Sequence, residues 1–152
     1  MPESERVYAT KRQGIITALA DKLKDIDGST GYLSNVNENV SPRLKFWDEV
    51  EEFPAIHLNA GSESREYQMG GYKDRFLTVT VRCYVQDEDS VIALEELLED
   101  VETVVEENSR LLYYDRRGAE GYTHQITVVS IDTDEGVLDP LGIGEMILEV
   151  RY

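Results

Sequence analysis

A chain of 152 residues buries roughly two thirds of the surface its unfolded state exposes, enough for one hydrophobic core and one expected domain spanning 1–152. Its 15 Lys and Arg against 31 Asp and Glu leave a formal net charge of −16, which excludes the electrostatic footprint of a nucleic-acid or anionic-membrane binder. Three readings of that charge stay open: bare solubility, work beside DNA without adhesion, and mimicry of DNA.

Cys83 is the lone cysteine, so it forms no internal disulfide, and its place in the apolar alternation LTVTVRCYV reads as a small buried hydrophobe in a reducing compartment. Neither a secretory leader nor an apolar run of bilayer length is visible, so a soluble protein with no membrane partner is expected. The opening MPESE, residues 1–5, reads as frayed.

Along the chain, Tyr8, Ile15, Ile16, Leu19, Leu23 and Ile26 recur at helical spacing and predict a first helix over 7–26, with Lys11, Arg12, Lys22 and Lys24 off the stripe and Gly28 as its stop. Gly14 weakens that helix by up to about 1 kcal/mol relative to alanine, and a close backbone contact would account for it. A polar, turn-rich stretch follows, then Trp47, which reads as a partly buried anchor by default and an interface hot spot as the alternative. Residues 53–59 predict a short strand in which Pro54 favours a strand start or a sheet edge.

The segment SREYQMGGYKDRF places Arg65, Tyr67 and Met69 on one side and Glu66 and Gln68 on the other, and Gly70-Gly71 offers a tight reversal. It predicts a hairpin arm over 62–74. Strict alternation from 76 to 85 then puts Leu77, Val79, Val81, Cys83 and Val85 on a core face. The opposite face carries Phe76, Thr78, Thr80, Arg82 and Tyr84, a composition that suits cover by a neighbouring subunit.

A second helix starts at the capping residues 87–90 and buries Leu94, Leu97, Leu98, Val101, Val104 and Val105. Glu95, Glu96, Glu99, Asp100, Glu102, Glu106 and Glu107 read as its solvated face, with no Lys or Arg between Asp87 and Glu107 to pair with them. Residues 113–121 turn the chain at Gly118 and Gly121. Strands are predicted over 125–131 and 145–152, the latter with Met146, Leu148, Val150 and Tyr152 inward, joined by a long connection, 132–144. No internal repeat or low-complexity tract is present. The expected class is α+β: a mostly antiparallel sheet with two main helices packed on one face and a protruding hairpin arm.

Catalytic chemistry is hard to place. His57 lies in a strand and His124 at a hairpin edge, both read as structural. No Cys/His cluster has metal-ligand spacing, and neither a phosphate-binding glycine loop nor Gly-x-Ser-x-Gly occurs. DTDEG, from Asp132 to Gly136, opens like a calcium loop but lacks the later ligands and the closing Glu, so it reads as an Asp/Gly turn. No enzyme, metal or cofactor is expected. The extensions 62–74, 113–121 and 132–144 are left as candidate binding elements, the arm foremost.

FPAIHLNAG, the glycine-bearing arm, DRFLTVTVRCYV, the amphipathic SVIALEELLEDVETVVEENSRL and the closing ITVVSIDTDEGVLDPLGIGEMILEVRY together resemble the tail terminator and tail completion proteins of long-tailed bacteriophages. The resemblance runs over 7–152 and rests on element order, the Pro-led first strand and the aromatic-ended last strand. It implies helices on a mostly antiparallel sheet. It also implies a virion protein, assembled in the host cytoplasm, that forms a ring, typically a hexamer, on the head-proximal end of the tail tube. There it stops polymerisation and offers a surface to the neck or head-completion protein. The net charge separately suits an acidic lumen through which DNA passes without specific binding. No catalytic residues carry over.

The subunit or tube interface expected from the residues themselves is Arg65, Tyr67, Met69, Tyr72, Lys73 and Arg75. A neck or head-completion protein is the alternative within phage assembly, separated by whether isolated tubes or filled heads are bound. An acidic DNA-mimic inhibitor is the alternative from another class, separated by competition with DNA for a host protein.

Overall fold

The computed structural model describes residues 10–29, 31–44 and 49–152. The expected fraying of 1–5, the start of the first helix at 7–9 and Trp47 lie outside the described residues.

Thr10, in extended backbone, accepts the Gln13 N–H at 3.1 Å and starts helix α1, Lys11–Leu23. The helix ends at Lys24, short of the expected 26; Ile26 is buried just beyond it and Gly28 sits in the following turn. Gly14 faces the chain at Tyr114 so closely that a Cβ there would lie 2.4 Å from the Tyr114 carbonyl oxygen. That is the close contact its position called for.

Strand β1 is Val40–Ser41, and β2 runs Ala55–Tyr67 directly after Pro54, so the proline stands at a strand start. β2 takes in both the expected short strand and one side of the arm. A 3-10 turn, Met69–Gly71, reverses the chain into β3, Lys73–Gln86. Helix α2, Ser90–Glu107, is capped by the Asp89 carboxylate accepting the Ile92 N–H. Its six buried aliphatics at about 1.5–3 kcal/mol each outweigh like-charge pairs at a few tenths each, which is why an all-acidic face is tolerated.

Strands β4, Leu112–Tyr114, and β5, Glu120–Tyr122, form a small hairpin where 113–121 reads as an irregular turn. Strands β6, Gln125–Thr133, and β7, Leu141–Arg151, follow. They absorb both ends of the expected connection 132–144 and leave a turn of 134–140. In that turn Asp134 accepts the N–H groups of Leu138 and Ile143, the behaviour of an Asp turn. The strand pattern was hidden by Gly142 and Gly144. Gly144 faces α2, where a Cβ would meet Leu94 and Leu98 at 3.1–3.2 Å, so the glycine admits the helix rather than breaking the strand.

The main sheet has order β1-β2-β3-β7-β6, antiparallel except for the β1–β2 pair. Both helices lie on one face, α1 over β1 and β2, α2 over β3, β7 and β6. Between them and the sheet sits one hydrophobic cluster containing Ile15, Leu19, Leu58, Val79, Leu97, Val101 and Leu148. On the other face Phe76, Thr78, Thr80 and Arg82 are half-buried, with Arg82 paired to Glu145 at 3.0 Å.

Asp100 corrects the expectation of a wholly solvated acidic face. It is buried, and its carboxylate accepts the Leu33 and Ser34 N–H groups and the Ser34 hydroxyl, clamping the 31–34 loop onto α2.

Candidate functional site

One row of paired residues, Ser64, Phe76, Arg151 and Gln125, carries all four long strands. Beyond it, among the described residues, only the hairpin continues, through Arg65↔Arg75, Glu66↔Asp74 and Tyr67↔Lys73. The arm that stands clear of the sheet is therefore 65–75, and the expected 62–64 belong to its root. A register shift between Ala60 and Glu63 marks the transition.

The root is held by groups far apart in sequence. The Tyr152 hydroxyl donates to one oxygen of the Glu63 carboxylate, and Arg65 Nε donates to the other at 2.6 Å. The Arg75 guanidinium lies over the Tyr152 ring, 5.3 Å from its centroid, and Tyr113 meets that ring edge-on. Arg151 reaches Asp74 at 2.9 Å.

Burial pushes the Glu63 carboxyl up, but the Tyr152 hydroxyl together with Arg65 and Arg12 outweighs it and holds the group below the usual carboxylate range. Tyr152 is pushed up to about 12 by burial and by the Glu63 carboxylate.

The six expected interface residues divide into two sets. Tyr67, Met69, Tyr72 and Lys73 form the tip: the first three are 73%, 96% and 77% exposed, and the Lys73 ammonium lies 5.8 Å over the Tyr67 ring. Arg65 and Arg75 instead turn inward to the root. Three apolar side chains this exposed on one protrusion are what an association surface presents to a partner.

His57 is buried against the Tyr84 ring at 5.0 Å, and His124 is exposed beside the start of β6. Cys83 is fully buried, its thiol pushed up to about 12 by burial alone, which makes it inert.

Two features escaped the sequence reading. Asp100 stands three residues after Leu97 and four before Val104, so its helical spacing already placed it on the buried stripe. A groove of about 390 Å³ between α2 and β6, lined by Ile92, Leu98 and Ile131 and by the glutamates 95, 96, 99 and 102, had no local signal, because it depends on β6 being an edge strand.

A chain of the virion of the native gene transfer agent (GTA) particle superposes with a TM-score of 0.57 at 9% identity, over 91% of this chain and 93% of that one. The model of a family described as Bacteriophage Tail Tube Terminator Protein matches residues 9–152. The tail tube terminator protein p142 of Escherichia phage T5 is 30% identical over 149 residues, 93% of this chain and 92% of that protein. The chain belongs to the bacteriophage tail tube terminator family, structural proteins of the virion tail.

Proposed function

We propose that copies of this chain form a ring, a hexamer, on the head-proximal end of the tail tube, stop its polymerisation and present the joining surface to the neck or head-completion protein. The role is structural and not enzymatic; assembly takes place in the host cytoplasm, and DNA passes through the bore without specific binding. The observation that carries this reading is the arm: its tip exposes Tyr67, Met69 and Tyr72 while its root is latched to Tyr152. A latched root presents the tip in one direction, which lowers the ordering cost of binding. The acidic surface disfavours adhesion to DNA, because every basic contact would add affinity through counterion release.

Removing 66–73 and closing the hairpin with a short turn tests this. The shortened protein is expected to fold, to stay monomeric and to leave isolated tubes uncapped in electron micrographs. Normal rings and capped tubes from that variant would refute the role of the arm.

A further inference from the structure

Strand β6 pairs with β7 along one side only, and among the described residues no strand covers its other side. Exposed edges of this kind are ordinarily protected by Lys, Pro or inward charge. Here QITVVSIDT contains no Lys, Arg or Pro; a bulge at Val129 is the one such device in it, and Val129 and Ile131 remain 59% and 42% exposed. Beside this edge runs the α2 groove, with Ile92, Leu98 and Ile131 as an apolar floor and Glu95, Glu99 and Glu102 as an acidic rim. An exposed apolar edge, bulged at one residue, next to an apolar groove with a single-sign rim suits an apolar insert that carries positive charge.

The arm tip has that chemistry: Tyr67, Met69 and Tyr72 are its apolar side chains, and Lys73 carries the cation beside them. The tip cannot reach the groove of its own chain. It leaves the sheet at the row containing Gln125, whereas Ile131 lies six residues further along β6, roughly 20 Å in the opposite direction. We propose that the groove between α2 and the free edge of β6 receives the arm tip of a second copy of this chain. The inference rests on the ring reading and deepens it by naming the receiving surface. Donor and acceptor are different surfaces of the same molecule, so the contact is head-to-tail, the type that closes into a ring when its rotation permits. The acidic rim then selects the Lys73 side of the tip, and two acceptor faces repel each other.

The test uses the full chain in two versions, Met69→Cys and Ile131→Cys, at exposed positions; buried Cys83 stays silent under mild oxidation. Mixed in the presence of tube ends, the two are expected to give a covalent pair that neither gives alone. Adding Glu95→Lys and Glu99→Lys to the Ile131→Cys chain should lower the cross-link yield several-fold, and Lys73→Glu on its partner should restore much of it. Rings of full mass with no mixed pair would overturn the docking and leave the ring reading standing. Met69→Cys chains cross-linking to themselves as readily would overturn it in favour of tip-to-tip contact. Monomers alone, with and without tubes, would overturn both.

Discussion

A methyl group on Gly14 would sit 2.4 Å from the Tyr114 carbonyl oxygen, well inside the distance any real Cβ tolerates. Helix propensity and packing therefore oppose each other at this residue. Replacing glycine by alanine inside an exposed helix gains up to about 1 kcal/mol, whereas overpacking a buried contact costs about 1–3 kcal/mol. The overlap involves backbone on both sides, so no side-chain rotation relieves it. Gly14→Ala is expected to lower stability by up to about 2 kcal/mol, read as a lower denaturation midpoint with an unchanged denaturant slope. A gain in stability would mean that β4 yields easily and that the α1–β4 contact is not tight. Asp100 shows the same dependence on place: on a helix otherwise lined by solvated glutamates, this one carboxylate turns inward and satisfies three donors of the 31–34 loop.

Among the elements, the arm owes its orientation to its root, and the root depends on pH at both ends of the scale. Glu63 titrates below its ordinary range, so its contribution is complete above that range and is lost as pH falls through the depressed value. Tyr152 is raised from 10.0 to about 12, so its contribution is complete below pH 10.0 and is lost as pH climbs toward about 12. The latch is thus closed across the neutral range and opens in strong acid and strong base. Tyr152→Phe should remove the phenolate absorbance step near pH 12 and speed amide exchange at 63–65, with little change in the α2 core. A step near pH 12 that survives the substitution would show that Tyr152 is not the tyrosine titrating there, and unchanged exchange at 63–65 would show that its hydroxyl does not hold Glu63.

Legibility from sequence followed the range of the interactions. The apolar stripes of α1 and α2, the alternation of β3 and the reversal at Gly70-Gly71 are local, and the sequence pattern placed each of them. The β7 start at Leu141–Gly144 was not visible because its glycines serve α2 and not a loop. Glu63 and Tyr152 lie 89 residues apart, so no periodicity joins them. The α2–β6 groove exists only because the strand order leaves β6 outermost, a property of topology and not of any segment.

For the whole molecule, −16 sets self-repulsion against the complementary surfaces proposed for the ring. A chain of this length has a radius of gyration of about 15 Å, that of a sphere about 19 Å in radius, so neighbours in a ring would hold their centres about 40 Å apart. The screening length is about 30 Å at about 0.01 M salt, where a sizeable part of the net repulsion survives between neighbours; at about 0.15 M it is near 8 Å and almost all of that repulsion is gone. The proposed contacts between Lys73 and the groove glutamates would act over a few ångströms beside apolar surface, where salt weakens them far less. Self-association is therefore expected to strengthen as salt rises from about 0.01 to 0.15 M, the reverse of a protein joined chiefly by surface ion pairs. Sedimentation velocity at constant protein concentration measures this directly. Association that weakens steadily over the range would place long-range attraction above net repulsion, and the apolar tip would then not be the main source of binding.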